Sequence, residues 1–418
     1  MRGAISARTY LAVLAISGVV GFALIWAWVA WMPLAFLDPE YPAWLAKERM
    51  LARCDLGNLV IVGDSRAAAD IEPARLPVPA TNLAVGGGEP IEAYAAIRRV
   101  LACPHPPSRV IVSFDAGHFM LPDLFWERSV GFGFLSHAEV EQLRHVSDRL
   151  GDRSVYSVMR ADGLPPRLRE ALYAIHFPSL YFASLLHGGV ALRWWENRAT
   201  LARTTSRRGQ YFFGTADGSD AIAVEGHLAH FAPLPVLDWY FDRTLALLAK
   251  HGIAVDFVAM PMNETTWHAV RPALRDGFAA YLAGYTARYA NFHVVGPVMP
   301  HWPDRLFGDA FSHLNPEGAA RLSERFRVWL GGTETQAELI GPSGRSAVDD
   351  GGGPVQGASR EACLGGLGVV VGRGRSGGER CPVVQRVGVD HRTQPRGGLA
   401  HRADIDAAAP ADQIVGGA

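Results

Sequence analysis

The stretch from Thr9 to Leu37 carries no charged side chain and is dominated by Leu, Ala, Val, Ile and Trp. About 20 apolar residues in a helix cross a bilayer core, so this stretch constrains the N-terminus before any other feature is weighed. Arg2 and Arg8 precede it, and Asp38 and Glu40 follow. The positive-inside rule puts the N-terminus in the cytoplasm. Everything after residue 40 is then expected outside the inner membrane, as the periplasmic part of a single-pass protein. A cleaved leader is the rival reading. The length of the run favours an uncleaved anchor over residues 1–37, as do Trp26, Trp28 and Trp31, which crowd any small-residue cleavage site and suit the outer interface.

Residues 38–57 read as a short amphipathic connector. Four continuous β-branched runs follow, Asn58–Gly63, Arg109–Phe114, Ile253–Ala259 and Phe292–Gly296, as expected of strands buried on both faces of a parallel sheet. Pro90–Leu101, Pro235–His251 and Pro272–Tyr289 read as helices opened by proline. This alternation predicts a doubly wound α/β domain over residues 58–330. Residues 119–232 form an insertion rich in aromatics, among them Phe125, Trp126, Phe132, Phe134, Tyr181, Phe182, Trp194, Trp195, Tyr211, Phe212 and Phe213. They make either a glycan-stacking cap over the site or the aromatic core of a helical subdomain. Residues 331–418 hold 20 of the chain's 45 glycines and no aromatic residue. Such a segment buries too little apolar surface to offset its ordering entropy, so a disordered tail is expected.

A formal net charge of -1 offers no basic surface for nucleic acid. Arginine supplies nearly all the positive charge, since Lys47 and Lys250 are the only lysines. Gly86–Gly88 lacks the G-x-G-x-x-G spacing of a dinucleotide loop, and no metal-ligand spacing stands out, so neither cofactor nor metal is expected.

Gly63-Asp64-Ser65-Arg66 stands immediately after the first strand run, at the sheet edge where open α/β folds place their chemistry. Near the end, Asn315-Pro316 opens a helix to about Leu330 and leaves His313 on the preceding loop. A serine hydroxyl needs an adjacent base, and the base a carboxylate to fix its tautomer. Ser65, His313 and Asp309 supply the three parts.

These residues resemble the SGNH/GDSL hydrolase superfamily, and more narrowly its membrane-anchored members that work beside membrane-bound O-acyltransferases in bacterial polysaccharide acetylation. Gly63-Asp64-Ser65 is similar to the first block, Asn82–Gly88 to the second, and Asp309–Gly318, with its His-Leu-Asn-Pro-Glu-Gly run, to the last. The resemblance implies a three-layer, flavodoxin-like fold with helices on both faces of the sheet. It implies Ser65 as nucleophile, His313 as base, and an oxyanion hole from the Ser65 amide and that of Gly86 or Gly87. Acetyl transfer to an extracellular polysaccharide through an acyl-serine is the implied activity, with a membrane-bound O-acyltransferase as partner. Water as acceptor would make the protein a carbohydrate esterase, and a decayed site a glycan-binding scaffold. Two features depart from the family pattern. Asp309 lies four residues before His313 rather than three, which leaves open whether it orients the imidazole. The third block falls on Ser113–Ala116, where Asp115 replaces an oxyanion-binding Asn and His118 stands as a substitute donor.

Cys54 and Cys103 precede adjacent strands at the edge opposite Ser65. Neighbouring parallel strands bring such positions within bridging range in an oxidising compartment, so a disulfide is expected, with two free thiols as the alternative.

Overall fold

A computed structural model describes residues 6–122, 124–158, 163–181 and 190–330; Arg2, Phe182 and the expected tail lie outside these ranges. Helix α1 (Ala7–Trp31) is long and apolar enough to cross a membrane, and most of its side chains are exposed. Its C-terminal end is not free. Trp26 Nε1 donates to the Ile175 carbonyl at 2.8 Å, and Phe22 and Trp26 pack on Phe177 with ring centroids 5.9 and 5.6 Å away.

The segment read as a connector contains helix α2 (Tyr41–Ala52), and much of it is interior: Trp44, Lys47 and Met50 are buried. Trp44 meets Phe132 and Phe134 edge-on, at 5.7 and 5.2 Å. The helix Val190–Ser206 fastens the turn between α1 and α2, where Arg193 donates to the Phe36 carbonyl and Asn197 to those of Leu34 and Leu37.

The sheet is built from β1 (Leu59–Gly63), β2 (Ala80–Asn82), β3 (Arg109–Ser113), β4 (Ala254–Phe257) and β6 (Phe292–Val294), with a separate pair formed by β5 (Met262–Asn263) and β7 (His301–Trp302). The five-stranded order is β2-β1-β3-β4-β6, parallel throughout. β-Branched runs suit this position because both faces of each strand are covered. Val60 and Val62 join a core with helix α4 (Pro90–Leu101) and the helices Pro235–Lys250 and Pro272–Arg288. Leu59 and Ile61 join a second core with α3 (Ser65–Asp70) and the final helix Pro316–Leu330. Each buried Leu, Ile or Val contributes about 1.5–3 kcal/mol. The chain is therefore an α/β protein with helices on both faces of a parallel sheet and one N-terminal apolar helix.

Strand order reverses at β1, whose connection to β2 lies on one side and whose other neighbour is β3. The carboxyl ends of β1 and β3 thus form a switch point, where a crevice opens between diverging loops. At the opposite edge Cys54 and Cys103 are joined, with Cα atoms 5.5 Å apart.

In the insertion, Phe125, Trp126, Phe134, Tyr173 and Tyr181 are buried. Trp126 stacks with Tyr173 and meets Tyr156, so these rings are core material. Trp195 is exposed, and the segment 211–216 reaches the switch point.

Candidate functional site

The nucleophile candidate is placed by its neighbours. Asp64 caps α3 by accepting from the amides of Arg66 and Ala67 at 3.0 and 3.2 Å, so Ser65 begins the helix directly after β1. A side chain at Gly63 would collide with the Ser113 carbonyl, and only glycine lets β1 turn there. The buried Asn82 amide donates to the carbonyls of Ala67 and Ile71 and holds the far end of α3.

The base candidate, His313, is held by a loop closed at its neck. Phe307 pairs with Leu314, and the Gly308 amide donates to the His313 carbonyl at 2.8 Å. Inside the loop Asp309 Oδ2 lies 2.6 Å from His313 Nδ1, while Oδ1 accepts from the amides of Phe311 and His313. The turn between Asp309 and His313 is made at Ser312, whose φ of 60° is left-handed. That conformation is uncommon for a side-chain-bearing residue. It is held by buried Asn263, which bonds the Ser312 hydroxyl at 3.1 Å. Burial pushes the Asp309 carboxyl up, but the hydrogen bond and charge of His313, with the two amides, more than offset this and leave it below the usual carboxylate range.

Two contacts clamp the loop onto α3. Arg66 Nε donates to the Phe311 carbonyl at 3.3 Å, and the Leu314 amide donates to Asp70 Oδ1 at 2.9 Å. The His313 loop is thereby held against α3, the helix that Ser65 begins. The Ser65–His313 hydrogen bond itself is not made: His313 is buried, and its Nε2 has no hydrogen-bond partner among the described residues. Catalytic hydrogen bonds often close only when substrate arrives.

Segment 211–216 threads between the two halves. The Tyr211 amide donates to the Ala68 carbonyl on α3, and the Ala216 amide to Gly308 on the base loop. Between them Phe213 stacks on the His313 ring at 4.5 Å and 25°.

The Gly86–Gly87 turn lies against the Phe213 ring. The Val85 amide donates to the Gly63 carbonyl, tying this turn to the strand that leads into Ser65. A methyl on Gly86 would strike both the Glu40 carboxylate and the edge of Phe213. Three charged groups cradle the turn. Lys47 Nζ donates to the Ala84 carbonyl, the Glu40 carboxylate faces Gly86, and Arg128, 2.8 Å from Glu40, lies beside Gly87. Burial raises the Glu40 carboxyl to about 7 against the opposing charge of Arg128, and burial lowers Lys47 to about 7.

Asp115 and His118 also reach the switch point. The Asp115 amide donates to Asp64 Oδ2 at 2.8 Å. The Asp115 carboxylate is turned toward His118 Nε2 at 3.5 Å and the Arg66 guanidinium at 3.8 Å. Arg66 also pairs with buried Glu225 at 2.5 Å, so a cation already sits against these acids. Asp64, Asp115 and His118 present ligand atoms within 4.8 Å of one another. Both Asp64 oxygens accept from amides, and Arg66 pairs with Asp115 and Glu225 beside them.

Sequence reasoning missed Arg66, Glu40, Glu225, Asn263 and the specific place of Phe213. The one legible signal was the Tyr-Phe-Phe run between Gly209 and Gly214, hidden among many other aromatics. No protein-family model matches the chain, and a comparison with characterised proteins finds no match.

Proposed function

We propose that this chain is a membrane-anchored serine acyltransferase of the SGNH/GDSL type, carrying acetyl groups to an extracytoplasmic polysaccharide. The observation that carries this reading is the Asp309–His313 pair at 2.6 Å, on a loop clamped to the helix that Ser65 begins. In this mechanism Ser65 Oγ attacks the carbonyl carbon of the donor ester while His313 Nε2 takes its proton. The resulting oxyanion is bound by the Ser65 amide and that of Gly86 or Gly87. Collapse breaks the bond to the donor alcohol, which leaves with the proton from His313. A glycan hydroxyl then attacks acyl-Ser65, gives its proton to His313, and the proton returns to Ser65 as the ester leaves.

The anchor supports the transferase reading, because a membrane-bound O-acyltransferase delivering acetyl groups across the bilayer requires an acceptor domain held nearby. The esterase reading uses the same residues with water in place of the glycan. Fluorophosphonate labelling of the full-length protein tests both. Mass measurement should place one adduct on Ser65, absent in Ser65→Ala and slowed in His313→Ala. An unlabelled Ser65 in a folded protein removes the catalytic reading and leaves a glycan-binding scaffold.

A further inference from the structure

Beyond the anchor, the most exposed large apolar side chains among the described residues are Phe311, at 69%, and Trp195, at 67%. Single exposed apolar residues are ordinary on protein surfaces. Trp195 is one of these, on the helix that fastens the anchor. Phe311 differs in position and in how it is held.

Its backbone is pinned at both ends: the amide donates to Asp309 Oδ1 at 2.9 Å, and the carbonyl accepts from Arg66 Nε at 3.3 Å. The next residue, Ser312, takes the left-handed conformation that L side chains avoid, and its buried hydroxyl bonds Asn263. This turn sends His313 inward and Phe311 outward. The Phe311 ring stands 6.2 Å from the imidazole, tilted by 42°, while Phe213 covers the imidazole's other neighbourhood at 4.5 Å. Strained backbone held in place by buried partners is a mark of functional constraint. Here it keeps an apolar ring in water beside the base, an arrangement that folding alone does not favour.

We infer that Phe311 is the stacking platform for a pyranose ring of the acceptor, presenting a sugar hydroxyl to His313. The axial C–H bonds of a pyranose form an apolar, slightly positive face, and the face of an aromatic ring is its electrostatic complement. This inference rests on the acyl-transfer reading and deepens it by naming the residue that would recognise the acceptor, through the face of a sugar ring rather than through a lone hydroxyl.

The test uses the full-length protein in detergent micelles and neutral hexasaccharides of glucose, mannose or galactose, with binding measured by calorimetry. At least one should bind the wild type. Phe311→Ala should weaken that binding about tenfold or more, and Phe311→Trp should keep it within roughly threefold. Fluorophosphonate labelling of Ser65 should proceed at the same rate in all three proteins, showing that the crevice is intact. Failure of all three sugars to bind, or equal binding by Phe311→Ala, overturns the platform even where Ser65 labels normally. If Ser65 resists labelling in the wild type while the Phe311 effect stands, the acyl-transfer reading falls and the sugar platform remains.

Discussion

Asp309 Oδ2 meets His313 Nδ1 at 2.6 Å across a loop that turns at left-handed Ser312. Asp309 is therefore the residue that fixes the imidazole tautomer, and the four-residue spacing does not transfer that task elsewhere. Asp309→Asn is expected to lower turnover about 1,000- to 10,000-fold, as loss of the orienting carboxylate does in other triads. Ser65→Ala combined with Asp309→Asn should be no worse than Ser65→Ala alone, because members of such a unit are not additive. A loss of less than about tenfold in Asp309→Asn, measured by ester hydrolysis, contradicts the assignment.

Glu40 makes stability depend on pH in a stated direction. Burial pushes its carboxyl up to about 7 from an ordinary 4.5, with Arg128, Asp38 and Lys47 facing it. The folded state therefore holds this proton more tightly. The resulting stabilisation is complete below about pH 4.5 and is lost as pH rises through about 7, on the order of 3 kcal/mol at most. Lys47, lowered from 10.5 to about 7, acts oppositely and regains stability above neutral pH. In Glu40→Gln the decline of melting temperature between pH 4.5 and 7 should be shallower than in the wild type. An unchanged slope would place the titration elsewhere, for instance at Glu48, which burial also raises to about 7.

Gly86→Ala forces a methyl against Glu40 and Phe213. Overpacking of this kind costs about 1–3 kcal/mol, and displacement of one oxyanion donor costs about 100- to 1,000-fold in rate. Shortening the opposing side chain should give back part of the stability. In a double-mutant cycle the loss in Gly86→Ala with Glu40→Ala is expected to be smaller than the sum of the two single losses. Strict additivity would mean that Glu40 does not press on the glycine turn in solution.

The Cys54–Cys103 bridge spans 49 residues of sequence. Chain entropy alone assigns such a loop about 4 kcal/mol. Alkylation before reduction should modify neither cysteine, alkylation after reduction should modify both, and the reduced protein should melt several degrees lower. Full alkylation of both thiols in the unreduced protein refutes the bridge.

The parts of this fold that were legible in the sequence are those whose burial is two-sided. Val60, Val62, Val110, Val112, Val255 and Phe257 lie in largely apolar runs because both sheet faces are covered, and Gly63 and Ser113 mark the ends of the first two. β2 escaped notice because three residues, Ala80, Thr81 and Asn82, carry no pattern and follow Pro77 and Pro79. Helix α2 looked like a connector because its charges suggested an exposed face, whereas Lys47 is turned inward onto the Ala84 carbonyl by partners distant in sequence. Within the site, Ser65, Asp309 and His313 were readable from local order. Arg66 and Glu225 were not, since their pairing joins positions 159 residues apart. Ser312 was unreadable for another reason: its left-handed backbone is imposed by Asn263, and no residue type announces it.

The bridge also has a mechanical meaning. Helix α2 begins at Tyr41, soon after α1 ends at Trp31, and Cys54 follows its last turn. A load applied to α1 would reach the sheet through α2 as well as through the Arg193 and Asn197 contacts that fasten the intervening turn. With Cys54 bonded to Cys103, that load has a covalent route to the end of α4 that bypasses Asn58 and β1.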